Sequence, residues 1–167
     1  MTPDDMVLTG FGLRFQGVTY PCSTGRGGFK RNKKEGDGAT PRGVHRIVGV
    51  LYRPDRMSKP AEGACRIRIS DLWSDDSSAA DYNTLVKAPY LYSHERLFRA
   101  DPLYDLVILT DWNWPRAARG AGSAIFIHRW RRAGAPTEGC VAFRPDHLRW
   151  IAPRIGFGTR LVVRPQP

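Results

Sequence analysis

The chain has 167 residues, of which 41% are hydrophobic and 25% charged, and its formal net charge is +10. This length is enough to bury a hydrophobic core without disulfide staples, and we expect one domain over residues 1–167. The three cysteines include no C-x-x-C pair, which argues against a zinc ribbon or a disulfide framework, and no apolar segment is long enough for a transmembrane helix.

The predicted secondary structure is mostly β. Seventeen glycines and thirteen prolines interrupt the sequence, so we expect short strands, one or two short helices and long surface loops. Alternating apolar and polar residues predict two strands within 7–20 and one over 44–53. Between them, residues 23–43 predict a long basic loop with almost nothing to bury. A period of two predicts a strand over 64–70 that places Cys65 in the core.

The second half of the chain predicts further strands and a helix. Residues 71–99, rich in Asp, Ser, Tyr and Pro, predict an irregular surface excursion in a position where it could cover a site. Apolar residues at helical spacing predict a short helix between Pro145 and Gly156. Strands are predicted over 104–112, 123–128, 139–143 and 159–163.

The amino terminus and the net charge bear on location and partner. Because "MTPDDMVLTG" is acidic and no long apolar stretch follows it, we expect neither a secretory signal nor a membrane anchor there. The positive charge favours an anionic partner: nucleic acid, phosphate-rich lipid or an acidic cell-envelope polymer.

A histidine and a cysteine stand at adjoining strand ends in "SAIFIHRWRRAGAPTEGCVAF". His128 ends one predicted strand and Cys140 begins the next, twelve residues later. If the two strands form a hairpin, the imidazole and the thiol become hydrogen-bonding neighbours and can form a thiolate–imidazolium pair. The N–H groups around Gly139 could then stabilise an oxyanion. The pattern predicts acyl transfer through a thioester, against the alternative that Cys140 is an inert buried residue and His128 is structural.

Other residues support competing hypotheses. His45 is expected to be structural, as is His147. Basic runs at 30–34 and 129–132, with Trp130 beside the second, could clamp nucleic acid, so a basic nucleic-acid-binding module is an alternative of a different class. The candidate zinc ligands are separated along the sequence by spacings that fit no familiar closed zinc site, so we expect no metal. These ligands are His128, Glu138, Cys140 and His147.

The segment "IHRWRRAGAPTEGCVAF" resembles the signature of the L,D-transpeptidases (YkuD-type catalytic domain). In that signature a histidine follows an apolar strand, and a variable loop leads to Ser or Thr, a residue that is usually His, Gly, the catalytic Cys and an apolar residue. The matching positions are Thr137, Gly139, Cys140 and Val141. A second segment, "DGATPRGVHRI", looks like the family's Thr-Pro-x-Gly-x-aromatic-x-apolar pattern, so the resemblance spans about residues 36–144.

The sequence departs from the family pattern in three ways. Glu138 stands where the family usually has His, Ala142 stands where Asn or Arg is common, and the loop from His to Cys is shorter than usual. Glu138 cannot copy the donor role of a neutral imidazole, and Arg144 is a candidate for the missing positive group.

The resemblance implies a YkuD-like β-sandwich or mixed sheet and cysteine acyltransferase chemistry on bacterial peptidoglycan stem peptides in the periplasm, with no cofactor or metal. It implies that Cys140 is the nucleophile and His128 the base and then the acid. We expect supporting or oxyanion roles for Gly139, Thr137, Glu138 and Tyr104, and substrate binding by Arg144, His94 and Arg129.

The resemblance leaves the product open. The segments "GRGG", "GDGATP" and "YSHERLFR" are similar to an atypical proteobacterial branch associated with 1,3 cross-links from L-Ala to diaminopimelate, so 1,3 and 3,3 cross-links are both retained. Hydrolysis of stem peptides by the same pair, as a carboxypeptidase or amidase, is a further alternative. We expect a monomer that binds donor and acceptor stem peptides.

Overall fold

The structure of the protein, a computed structural model, describes residues 2–165. The predicted mainly β fold is confirmed, with one seven-residue helix, α1 (Pro145–Ile151), in the described residues and 3₁₀ turns at Pro102–Tyr104 and Ala152–Arg154. No helix within 2–165 has the length and apolarity needed to span a membrane. The strands are β1 (Met6–Thr9), β2 (Gly12–Phe15), β3 (Val18–Tyr20), β4 (Cys22–Ser23), β5 (Phe29–Lys30), β6 (Thr40–Pro41), β7 (Gly43–Tyr52), β8 (Cys65–Arg66), β9 (Asp71–Ser74), β10 (Leu85–Lys87), β11 (His94–Arg96), β12 (Leu106–Thr110), β13 (Phe126–Arg129), β14 (Val141–Phe143) and β15 (Arg160–Val163).

A ten-stranded sheet is the main framework. Its order is β3-β2-β1-β15-β7-β12-β13-β14-β4, and β8 pairs with β7 outside this path. The ten-residue strand β7 joins the two halves of the sheet, since residues 43–46 pair with β15 and residues 47–52 pair with β12. A three-stranded sheet, β10-β9-β11, and the β5-β6 pair lie outside it.

Hydrophobic clusters lie on both faces of β13, and the first of them also covers one face of β14. Ile127 and Val141 belong to a cluster that also contains Leu148 of α1. Phe126 belongs to the second cluster, against which Cys140 packs. Side chains alternate between the faces along a strand, so the residues between the buried ones of the first cluster point to the second face.

Two predictions for the first half of the chain are corrected. Residues 7–20 form three strands, not two. The predicted strand over 64–70 pairs for only two residues, and Cys65 is exposed, as is Ile69 at 80% exposure. The strand ends early because the backbone N–H of Asp71 donates to Arg68, closing a turn. Cys65 is therefore a surface thiol.

The two predicted irregular segments contain regular structure. Residues 23–43 include β5 and β6, and they bury Lys33 at 6% exposure, where its ammonium donates to Asp37 at 2.9 Å. Residues 71–99, called the insert below, form the three-stranded sheet and bury Trp73 and Leu97 in the second cluster. The insert thereby forms one side of the cavity that contains His128 and Cys140.

Candidate active site

The predicted hairpin between β13 and β14 is wrong, because the two strands are parallel and His128 pairs with Ala142. The chain between them returns along residues 24–26: Thr137 N–H donates to the Thr24 carbonyl, and Arg26 N–H donates to the Thr137 carbonyl. Cys140 therefore lies beside the start of β13. Paired residues of parallel strands share a face and side chains alternate, so His128, Ala142 and Cys140 point to the same side.

His128 and Cys140 line one cavity of about 320 Å³. The Cys140 thiol donates to the Ala124 carbonyl at 3.1 Å and accepts from the Phe126 N–H at 3.3 Å. Among the described residues it makes no hydrogen bond to the imidazole, so the direct contact predicted from sequence is not formed in this state. The structure brings the two groups to one cavity and orients the thiol by backbone groups.

The hydrogen bonding of His128 fixes its tautomer. Nδ1 lies 2.7 Å from the Arg129 carbonyl oxygen, which can only accept, so Nδ1 carries the proton. Nε2 then holds the lone pair. The ring is 7% exposed, and burial lowers the pKa of His128 to about 4. At neutral pH the imidazole is thus an uncharged acceptor.

Tyr104 of the second cluster and Glu95 of β11 add further polar groups to the cavity that holds the thiol. The Tyr104 hydroxyl donates to Glu95 Oε2 at 2.5 Å, and its ring packs edge-on against His128 with ring centroids 5.2 Å apart. Burial, and after it the charge of Glu95, raises the pKa of the Cys140 thiol to about 12. The resting site accordingly holds a neutral thiol.

Residues 137–140, called the thiol loop below, are held by side chains and backbone from elsewhere. Thr137 Oγ1 donates to the Cys140 carbonyl at 2.6 Å and accepts from the Gly139 N–H at 3.1 Å. Thr40 Oγ1 donates to the Gly139 carbonyl at 2.9 Å and accepts from the Gly25 N–H at 2.9 Å. Gly139 has a φ of +134°, and a Cβ there would lie 2.7 Å from the Ala39 carbonyl oxygen, so the loop requires glycine at this position.

Glu138, which replaces the family's usual His, lies at the rim of the cavity. Its carboxylate accepts from Arg26 Nε at 2.8 Å, and this bond lowers the pKa of Glu138. The side chain is 74% exposed. It therefore ties the thiol loop to residues 24–27 through an exposed ion pair.

The residues predicted to bind substrate lie outside this cavity. Arg144 is exposed and forms a two-pronged ion pair with Asp146. His94 bonds through Nδ1 to the Tyr92 carbonyl, at 2.7 Å. Arg129 lines an adjoining cavity of about 290 Å³. The cationic side chains that line the Cys140 cavity are Arg99 and Arg131.

Sequence reasoning missed several residues of the site. Arg99 and Glu95 lie in "YSHERLFR". The only feature of the sequence that could have pointed to them is that they are polar residues within the insert. Arg26 lies 112 positions from Glu138, and no sequence signal connects them. Thr40 belongs to the "DGATPRG" segment, which was quoted for the family resemblance but given no contact with the thiol loop.

The residues of the alternative zinc site and of the alternative nucleic-acid-binding surface are not arranged as the sequence patterns suggested. His147 packs its ring against Tyr20 with centroids 5.2 Å apart, outside the Cys140 cavity. Residues 2–165 contain no group of three or more His, Cys, Asp or Glu side chains arranged to hold a metal ion. In the basic run 30–34, Lys33 is buried and paired with Asp37, so the run is not a uniformly exposed patch.

Comparison with known proteins gave one family match. The model for YkuD, described as the L,D-transpeptidase catalytic domain, matches residues 14–163 of the 167-residue chain. That span begins within β2 and includes β3 to β15, the insert and the thiol loop. No curated protein matches the chain.

Proposed function

The chain belongs to the YkuD family of L,D-transpeptidase catalytic domains, and from that premise we propose that it cross-links peptidoglycan stem peptides through a thioester on Cys140. The observation that carries the proposal is the shared cavity, in which the thiol and the free Nε2 of His128 face the same side of β13 and β14. The family acts on peptidoglycan peptides, and its members typically work outside the cytoplasm. We propose the periplasm as the site of action.

In the first half-reaction, Cys140 attacks the carbonyl on the L side of an L–D amide bond. Because thiol and imidazole are both neutral at rest, the proton leaves Sγ for Nε2 of His128 as the C–S bond forms. The resulting imidazolium then gives this proton to the departing amine. The N–H of Phe126, which already donates to Sγ, stabilises the charge that develops on sulfur.

In the second half-reaction, an amine of another stem peptide attacks the thioester carbonyl. The new C–N bond forms as the C–S bond breaks, and His128 passes a proton from the amine to the departing sulfur. The energy of the first amide is retained in the thioester, so no nucleotide is consumed. Water in place of the amine gives a hydrolysed stem, which is the carboxypeptidase or amidase alternative.

The cavity suits a peptide that carries carboxylates. Arg99 and Arg131 line its walls, and Arg131 makes no ion pair within residues 2–165. Stem peptides carry several carboxylates, which a protein with a net charge of +10 attracts at long range. We propose that Arg131 binds a stem carboxylate, a role that the sequence had suggested for Arg144, His94 and Arg129, while Arg99 is held by Asp101.

Incubation with purified muropeptides, followed by mass analysis, tests the proposal. Dimers are expected, and their mass identifies the link, since a 1,3 product keeps one donor residue and a 3,3 product keeps three. Cys140→Ala is expected to lower dimer formation by about a thousandfold or more. Cys65→Ala removes an exposed thiol outside the cavity and is the matched control, with unchanged turnover expected.

Three results would contradict the proposal in different ways. Trimmed monomers without dimers would assign the hydrolytic function. Full activity of Cys140→Ala would remove the thioester mechanism. Unchanged muropeptides together with steeply salt-dependent binding to DNA or RNA would favour the nucleic-acid-binding alternative.

A further inference from the structure

A carboxylate inside the cavity has no role in the mechanism described so far. Glu95 of β11 lines the cavity, and its hydrogen bond from Tyr104 engages Oε2 alone. In residues 2–165 it forms no salt bridge, whereas the other carboxylate of the cavity, Glu138, is neutralised by Arg26. The nearby Arg99 is committed to Asp101 by two hydrogen bonds, at 2.9 and 2.6 Å. Glu95 is therefore available to a cation.

The position of this charge is unfavourable for the thiol. Burial and then Glu95 raise the pKa of Cys140, so the carboxylate opposes formation of the thiolate in the first half-reaction. A carboxylate beside a cysteine nucleophile does not activate it. Its use must lie in a step that involves positive charge.

The second half-reaction supplies such a charge. The acceptor amine attacks the same carbonyl carbon that the first amine left, so its nitrogen enters the position that the leaving nitrogen vacated. An alkyl amine near neutral pH arrives as an ammonium ion, since its pKa is about 10. The competing nucleophile, water, is uncharged. A carboxylate that lines the same cavity as Cys140, as Glu95 does, distinguishes the two nucleophiles by their charge.

We propose that Glu95 binds the ammonium group of the acceptor peptide, takes its first proton, and so directs the acyl-enzyme to an amine instead of water. The inference rests on the proposed function. The ammonium gives one proton to Glu95 and becomes a neutral amine, which forms the C–N bond. His128 takes the second proton and gives it to Sγ as the C–S bond breaks. The proton on Glu95 then leaves to solvent.

The surroundings of Glu95 fit this role. The hydroxyl of Tyr104 fixes Oε2, while Oε1 makes no hydrogen bond within the described residues and is left for the ligand. Burial raises the pKa of Glu95, which makes it a better base than a solvated carboxylate. Tyr104 also contacts His128, so one side chain positions the base of each proton transfer.

The partition between cross-linked dimer and hydrolysed monomer tests the proposal. Glu95→Gln keeps the size of the side chain and removes its charge, and the ratio of dimer to monomer is expected to fall about tenfold or more. The acyl adduct on Cys140, measured by intact-protein mass after donor is added alone, is expected to form at least as fast as in the parent protein. Glu62→Gln removes an exposed carboxylate from another cavity and is the matched control.

The other possible results contradict either this proposal or the proposed function. An unchanged dimer-to-monomer ratio in Glu95→Gln overturns the proposal, and so does loss of the acyl adduct in that variant, because Glu95 would then act in the first half-reaction. Absence of the adduct in the parent protein contradicts the proposed function itself.

A measurement on the parent protein covers the case in which Glu95→Gln does not fold. An acceptor analogue that carries a trimethylammonium group in place of the amine is cationic but cannot react. It is expected to inhibit dimer formation at least tenfold more strongly than the neutral tert-butyl analogue of the same shape. Equal inhibition by the two analogues overturns the proposal.

Discussion

Burial decides the ionisation of the two central side chains. The thiolate–imidazolium pair expected from the sequence is not the resting state, because the cavity disfavours both charges: the pKa of His128 falls to about 4 and that of Cys140 rises to about 12. The pair can become charged only when substrate supplies the compensation. The same desolvation makes His128 a determinant of stability as well as of chemistry.

The pH dependence of stability follows from His128. In the unfolded chain it binds a proton below about pH 6.5, but in the folded protein only below about pH 4, so the free energy of unfolding decreases as pH falls through this window. The difference between these two pKa values corresponds to a decrease of about 3 kcal/mol in the free energy of unfolding. When urea unfolding is measured at pH 7.5 and at pH 4.5, the free energy of unfolding should decrease less for His128→Gln than for the parent protein.

His94→Gln is the control for this measurement. His94 lies outside the cavity on the edge strand β11, so the same substitution there controls for the loss of one imidazole from the chain. Burial also lowers the pKa of His45, so part of the decrease is expected to persist in His128→Gln. Identical decreases in the parent and in His128→Gln would refute the assignment.

The thiol loop has no regular structure of its own and takes its shape from two distant segments. Backbone hydrogen bonds from Thr137 to Thr24 and from Arg26 to Thr137 hold its start. Thr40, beside β7, holds its end through the Gly139 carbonyl. The position of the thiol therefore depends on residues 24–40, which the sequence had suggested were a solvated basic loop.

Thr40→Val tests this dependence at the level of elements. Valine has the shape of threonine but leaves the buried Gly139 carbonyl and Gly25 N–H without their partner, and we expect the free energy of unfolding to fall by about 2 kcal/mol. Dimer formation should fall further than stability alone explains, because Gly139 is adjacent to Cys140. Thr19→Val, at an exposed threonine of β3, is the control and should change neither quantity.

Equal activity of Thr40→Val and the parent protein, measured well below both melting temperatures, would show that residues 24–40 do not position the thiol. Loss of stability without loss of activity would give the same answer, since the two readouts report the fold and the site separately.

The whole molecule contributes a positive field to a small cavity. Its net charge of +10 is spread over both halves of the chain, and two arginines reach the cavity wall. Such a field raises the local concentration of an anionic peptide without changing the chemistry at the thiol. Salt screens it, because the Debye length falls as ionic strength rises.

The salt dependence of KM checks this contribution. Between about 0.05 and about 0.5 M salt, we expect KM for stem peptides to rise about threefold to tenfold while kcat changes little. A stem peptide with amidated carboxylates should show a much weaker dependence. If both peptides respond equally, long-range attraction of carboxylates is not the cause.

The sequence by itself determined the mainly β class, the short helix at 145–155 and the family, because these depend on periodicity and on a few residues at fixed spacing. It also selected Cys140 and His128, whose place at strand ends was readable from the apolar segments beside them.

Only the tertiary structure decided how those two residues come to line the same cavity. A sequence does not distinguish a hairpin from a parallel pair when the connection is long enough for either, and here the bonds to residues 24–26 turn the chain back to give β13 and β14 a parallel register. Burial of Cys65 failed as a prediction for a similar reason, since its strand pairs with β7 for only two residues before the turn at Arg68 and Asp71 ends it. Glu95, Arg99 and Thr40 entered the site through contacts between distant segments, which no local pattern encodes.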